Sequence, residues 1–254
     1  MKKKKLRVAF LGGRILGKKC LDILYKYKNK IEVVFIIAHK KDGEINSDWN
    51  PKLLPYAKEL GFPIYKPAKL TSKQVINKFK KSNIDIILNP FCNRIIPKEI
   101  INLPQYGCIN FHYGKLPEYQ GRFVVSHIIL NGEKNTCATA HYIDEKVDTG
   151  DIIFEEKVKI RPDETARSLY MKCTDASVTL FEKVLVDLIN GKNLPRKQQE
   201  GKSTYYPFKE LNNCIVDLSW NLEKIKRFIR AVTFPPISYP SVMIEEKKYN
   251  IKPE

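Results

Sequence analysis

The sequence has no apolar run of eighteen residues, so no membrane span is expected. It has no Cys-x-x-Cys pair and no His/Cys spacing of the kind that holds zinc, so no metal is expected. It has no internal repeat and no low-complexity tract, which excludes solenoids and fibres. Arginine is scarce: only 9 of the 45 basic residues are Arg. The basic opening MKKKKLRVAFLGG has too few apolar residues before Gly12 and Gly13 for a secretory signal and reads as a first strand. The six cysteines (Cys20, Cys92, Cys108, Cys137, Cys173, Cys214) are scattered, most of them in apolar segments. They read as reduced core thiols of a cytoplasmic protein.

The composition is that of a globular protein. Hydrophobic residues make up 43% and charged residues 29% of the 254, so wholesale disorder is excluded. A chain of this length buries roughly three quarters of its extended surface and needs no disulfide staples. The net charge of +17 points to an anionic partner, nucleic acid or a phosphorylated small molecule. The excess is lysine dispersed along the chain, apart from the run Lys2 to Lys5. Arginine is the better fork for phosphate and base edges, so a solvated surface is favoured and no nucleic acid or membrane partner is expected.

Short apolar runs alternate with helical periodicity. Strands are expected at residues 6–11, 31–38, 63–65, 84–88 and 106–111, and helices near 16–27, 55–60 and 71–81. This alternation predicts an α/β fold with an open, mainly parallel Rossmann-like sheet flanked by helices. Further on come a helix over 122–130, strands over 136–143 and 151–160, and a long helix from about 164 that stops at Gly191. Residues 192–203 are polar and turn-rich and suggest a boundary, giving a main domain 1–203 and a small helix-and-hairpin subdomain 204–254.

The first strand–turn–helix invites a dinucleotide reading, which fails. Gly12 and Gly17 have the outer spacing of GxGxxG, but Arg14 stands in the middle, where a side chain blocks backbone approach to a pyrophosphate. The second strand ends in Ala38-His39, with no acid for a ribose. An anion at Gly12, Gly13 and Arg14, or an ordinary turn there, both stay open.

The segment 107–121 reads GCINFHYGKLPEYQG. Asn110 and His112 are i and i+2 on a strand, so they share a face at its carboxyl end, where open α/β sheets put their sites. An Asn there offers a neutral donor and a His a titratable proton. The acidic loop 144–151 can supply a carboxylate to orient that His. The same pattern also fits a satisfied strand end and a plain turn.

Asn110-x-His112, Leu116-Pro117, Gly121 and then Asp148-Thr149-Gly150-Asp151 together resemble the folate-dependent formyltransferase family. The resemblance covers residues 6 to about 190. The segment Trp220 to Pro236 further resembles the stretch just beyond the catalytic domain in the transfer-RNA and sugar enzymes of that family. The resemblance implies the formyltransferase fold and an N-formyl transfer from 10-formyltetrahydrofolate to a primary amine through a tetrahedral intermediate, with Asn110, His112 and Asp148 as the catalytic residues. It also implies that Asn110 donates to the oxyanion, His112 moves a proton, and Asp148 holds the imidazole and favours its charged form. The donor's pterin is expected, on the same grounds, against main chain at Phe91, Cys92, Asn93, Arg94 and Ile96 and at Ile143, Asp144 and Val147. The resemblance likewise implies that Gly114, Lys115, Leu116 and Pro117 line the donor pocket, with Gly114 replacing the family's usual Ser.

The acceptor amine is narrowed by length. Only some 18 residues follow Pro236, short of the transfer-RNA enzyme's C-terminal barrel, while the purine-pathway enzyme is shorter than this chain. In the loop after the second strand, Lys40 and Lys41 are answered by Asp42, Glu44 and Asp48. The expectation is a sugar N-formyltransferase acting on a nucleotide-linked amino sugar for surface glycans. Gly12, Gly13 and Arg14 would meet the anion, and Trp49 or Tyr119 would stack on a base or sugar. A methionyl-tRNA formyltransferase-like enzyme and a non-catalytic folate- or nucleotide-binding protein are the alternatives, and segment 204–254 is a candidate homodimer interface.

Overall fold

A computed structural model describes residues 4–40, 42, 47–207 and 211–252. Lys2 and Lys3 of the basic run, and Lys41 and Glu44 of the loop, lie outside the described residues. The chain packs into two compact units, Met1–His112 with Thr139–Glu155 and Ser177–Gln199, and Tyr113–Ala138 with Glu156–Ala176 and Glu200–Glu254.

The first unit opens on β1 (Leu6–Gly12), α1 (Arg14–Lys26) and β2 (Ile31–Ala38). β1 and β2 are apolar throughout their inner halves because both sheet faces are covered, as parallel sheets require. α1 buries Leu16, Cys20 and Leu24 at helical spacing. The expected helix at 55–60 is α2 (Leu53–Glu59), which begins earlier because Asp42 caps it: its carboxylate accepts from the N–H groups of Leu53 (2.9 Å) and Leu54 (3.2 Å). α3 (Lys73–Lys81) is capped by Ser72, whose hydroxyl accepts from Val75 N–H at 3.4 Å, and it turns Val75 and Phe79 inward. β3 (Ile86–Asn89) and the single turn α4 (Lys98–Ile101) complete this half. The strand expected at 63–65 is only a bridge, Ile64 against Ile36. Ala9, Leu11, Phe35, Ile37, Val75, Phe79 and Ile87 form one core cluster with Cys92, Ile96 and Cys108.

β4 (Cys108–His112) continues the parallel order beside β3, with Asn89 opposite Asn110. After β5 (Gln120–Gly121) and α5 (Val124–Leu130), the chain returns as β6 (Asn135–Tyr142), antiparallel to β4, with Asn110 opposite His141 and His112 opposite Thr139. β7 (Ile152–Lys159) closes a six-stranded sheet of order β2-β1-β3-β4-β6-β7. β4 is therefore the seam where the parallel part of the sheet meets its antiparallel edge. α6 (Ala166–Ile189) comes next, and no described helix is long and apolar enough to cross a membrane.

In the second unit, β8 (Tyr205–Tyr206) pairs with β5, and Gly121, at φ 100°, lies so close that a Cβ would meet Tyr206 O at 2.6 Å. α5 starts at Val124 rather than 122 because Phe123 sits at φ 55°. α7 (Leu222–Val232) is capped by Asn221, which accepts from Lys224 N–H at 2.9 Å. Its Phe228 and Val232 pack with Val216, Trp220 and Val242. The expected hairpin is β9 (Ser241–Ile244) and β10 (Lys247–Asn250), joined by Glu245 and Glu246, both at positive φ.

Candidate functional site

The carboxyl end of β4 carries the site. Its i, i+2 spacing puts Asn110 and His112 on one face, and the loop after β6 brings Asp148 to them. His112 Nδ1 is 3.5 Å from Asp148 Oδ2, and Asn110 Nδ2 is 3.4 Å from Asp148 Oδ1. The imidazole is 8% exposed and the carboxylate 10%, so their attraction is little screened by water.

Asp148 reaches this position through a left-handed backbone, φ 57°, which Asp tolerates better than most residues. Gly150 passes so close to β6 that a Cβ would lie 2.0 Å from Tyr142 O. Asp144 ties the loop internally, accepting from Thr149 Oγ1 at 2.7 Å and Lys146 N–H at 3.1 Å. Residues 192–203, which the sequence marks only as a boundary, supply Gln199, whose Nε2 donates to the carbonyls of Asp148 and Gly150.

Nothing in the sequence singles out His141. It is 1% exposed, its Nε2 is 3.0 Å from Asn110 Nδ2, and its Nδ1 is 2.8 Å from Tyr142 O. The pattern of β6 shows a buried alternating strand, but only the antiparallel register puts His141 opposite Asn110.

Of the two segments expected to receive a pterin, the loop after β6 is tied to the start of α4 by an ion pair, Glu145 Oε1 to Lys98 Nζ at 2.5 Å. The two segments expose Ile95 (84%) and Val147 (56%), large apolar side chains that a flat ring can cover. Cys92 N–H donates to Asn89 Oδ1, and burial pushes the Cys92 thiol up to about 11 against the opposing influence of Arg94. Asn93 is exposed and Ile96 lies in the core cluster. The Arg94 side chain staples main chain, donating to Ala38 O (3.1 Å) and Pro67 O (2.9 Å). Ile143 is half-buried, and its N–H donates to Cys108 O at 2.8 Å. In the other unit Gly114, Leu116 and Pro117 are buried, and exposed Lys115 pairs with Glu118.

The expected anion site at Gly12, Gly13 and Arg14 needs correction. Gly13 N–H already donates to Pro90 O (3.1 Å) and Ile15 N–H to Trp49 O (3.0 Å), so the helix start does not present these groups to an anion. What remains is the Arg14 guanidinium, 4.7 Å from the Trp49 ring centroid and 4.5 Å from that of Phe91. The stacking role expected of the two aromatics is also revised. Trp49 is buried with Arg14 over its ring, while Tyr119 stacks on Tyr206 at 5.4 Å and donates its hydroxyl to Glu133.

A neutral amide donor, an imidazole and a buried carboxylate meeting at one point suit acyl transfer to an amine. Residues 6–185 match the family described as Formyl transferase. The chain is 31% identical over 235 residues to a methionyl-tRNA formyltransferase of Clostridioides difficile, covering 92% of this chain and 76% of that one. Among solved structures it is similar to WlaRD, a sugar 3N-formyl transferase determined in the presence of dTDP and 5-N-formyl-THF. The two share 25% identity, 97% of this chain and 85% of that one are covered, and the TM-score is 0.77. A 4-N formyltransferase of Francisella tularensis has the same fold, with 24% identity, 98% and 97% coverage and a TM-score of 0.78. A match over most of the chain, which includes the strand and loop that build this site, makes the protein a member of the formyl transferase family, and its reaction is formyl transfer.

Proposed function

We propose that this chain moves the formyl group of 10-formyltetrahydrofolate onto the primary amine of a nucleotide-linked amino sugar. The observation that carries the reading is the convergence of Asn110, His112 and Asp148 at the end of β4. The folate, when bound, supplies an activated formyl carbon and a nitrogen leaving group. Asn110 Nδ2 donates to the formyl oxygen as it gains charge, a role typically worth about 3 kcal/mol. His112 takes the proton that the attacking amine loses and returns it to the leaving nitrogen, so protons balance across the reaction. Asp148 orients that imidazole through Nδ1. Main chain at 91–96 and 143–147, together with Ile95 and Val147, would hold the pterin. Arg14, held between two aromatic rings, suits a diphosphate.

The likeness to WlaRD over nearly the whole chain supports a sugar acceptor. The higher identity to the Clostridioides difficile enzyme favours a second reading, in which the amine is that of methionyl-tRNA. The test is incubation of the purified chain with 10-formyltetrahydrofolate and either a panel of nucleotide-linked amino sugars or methionyl-tRNA. Mass spectrometry would look for one added formyl group. A formylated sugar that depends on the folate is the expected result. Formylation of methionyl-tRNA alone would replace the sugar reading with the second. Folate binding without turnover of any amine would sink both and leave a binding protein.

A further inference from the structure

We infer that His141 is a positioning residue: as a neutral imidazole with its hydrogen on Nδ1, it sets which end of the Asn110 carboxamide faces Asp148 and the reacting group. The catalytic consequence rests on the formyl-transfer reading above, whereas the tautomer is fixed by hydrogen bonds alone.

The register of β3, β4 and β6 lines up Asn89, Asn110 and His141 across the sheet. A hydrogen-bonded row runs along them, and backbone groups fix its polarity at both ends. At one end the Cys92 N–H can only donate, and it does so to Asn89 Oδ1 at 3.2 Å. Asn89 Nδ2 therefore points at Asn110 and donates to its Oδ1 at 3.3 Å. That leaves Asn110 Nδ2 facing His141 Nε2 at 3.0 Å. An amide nitrogen only donates, so His141 Nε2 must be bare, which excludes the imidazolium. At the other end the Tyr142 carbonyl can only accept, and it lies 2.8 Å from His141 Nδ1. Nδ1 must carry the hydrogen, which excludes the other neutral tautomer.

One contact pulls the other way. Asp148 Oδ1 is 3.5 Å from His141 Nε2 and would form an ion pair with a protonated ring. The Asn110 bond is shorter, and the Asn89–Cys92 end of the row holds it in that sense. The groups facing His141 are thus Asn110 and His112 from β4 and Asp148 from the loop after β6. With a bare Nε2, His141 makes no claim on the carboxylate, which stays available to His112. It also takes one Asn110 amide hydrogen and leaves the second, only weakly held by Asp148 at 3.4 Å, to turn to the formyl oxygen. Were Nε2 protonated, two donors would face each other, the carboxamide would turn over, and its oxygen rather than its NH2 would meet the developing oxyanion.

The first test is a long-range proton–nitrogen spectrum of the full, ligand-free chain with labelled imidazoles, at the assay pH. His141 is assigned by loss of its signals in His141→Gln. Nδ1 protonated with bare Nε2 is the expected result, and a proton on Nε2 in either form overturns the proposal. The second test is kinetic. His141→Leu, which fills space but cannot accept, should lower kcat by about 30-fold with little change in donor KM, the cost of one misdirected donor. His141→Gln, whose Oε1 can accept from Asn110, should recover most of that loss. Wild-type kcat in the Leu variant, or a Gln variant no better than Leu, would overturn the positioning role. If the wild-type chain formylates no amine, the functional reading fails, and the spectrum still decides the tautomer.

Discussion

Gln199 Nε2 donates to two carbonyl oxygens at once, Asp148 O at 2.9 Å and Gly150 O at 2.8 Å. These carbonyls flank the turn in which Asp148 adopts its left-handed backbone. Gln199 therefore ties down the main chain that carries the carboxylate. Gln199→Leu should reduce kcat about tenfold, since two carbonyls lose their donor and the loop relaxes. Steady-state kinetics beside a thermal melt checks this: a fall in Tm with unchanged kcat would make Gln199 structural only.

Asn110 and His112, at the end of β4, should separate by role. His112→Ala should lower kcat by about a thousandfold, in the range for a lost proton-transfer group. Asn110→Ala should cost about a hundredfold or more, as for a lost oxyanion donor. Single-turnover measurement of formyl transfer distinguishes both from slow product release.

Gly150→Ala tests the close approach of the loop to β6. Its Cβ would lie 2.0 Å from Tyr142 O, where backbone rather than a flexible side chain must yield. Overpacking of this kind costs about 1–3 kcal/mol, which for a chain of this size lowers Tm by several degrees. Calorimetry showing an unchanged Tm would contradict the packing.

Glu164 predicts a pH dependence of stability. Burial works to raise its pKa, but hydrogen bonds from Lys172, Ser168 and the Arg161 N–H outweigh it and hold the carboxyl below the usual carboxylate range. A folded pKa below the unfolded one contributes stability above the unfolded value, about 4.3, which is lost as pH falls through the folded pKa. Glu164→Gln should therefore be less stable than wild type at pH 7 by about 1–3 kcal/mol, the range for a lost hydrogen bond to a charged group. Urea melts across pH should show that difference shrinking on acidification below the unfolded value; a constant gap would refute the linkage.

The thiols should be sluggish. Burial pushes Cys20, Cys108 and Cys173 well up, so almost no thiolate forms at neutral pH. Cys214 is the one cysteine that is not fully buried. Iodoacetamide at pH 8 should modify Cys214 first and Cys108 and Cys173 only after unfolding, as read by peptide mass spectrometry.

Part of the site was legible from local rules: Asn110 and His112 are two apart on an apolar strand and so share a face. Asp148 was picked out of its acidic loop only by the resemblance to the formyltransferase family, since any carboxylate of 144–151 fits the local pattern. Trp49 and Tyr119 misled, because an aromatic side chain reads the same whether its face is open or covered. Gly12 and Gly13 misled similarly, since the carbonyls of Pro90 and Trp49 that meet the helix start lie far along the chain.

By itself, then, the sequence determined the α/β alternation, the helical period of residues 16–27, and the placement of Asn110 and His112 on one face of a strand. These depend on periodicity and neighbour chemistry over a few residues. The tertiary structure decided what depends on pairing between distant strands. The sheet order, the turn from parallel to antiparallel at β4, the row Asn89–Asn110–His141 and the Gln199 anchor all belong to that class. The row and the anchor bring together groups separated by at least 21 positions in the chain, through a strand register or a loop path that local composition leaves undetermined.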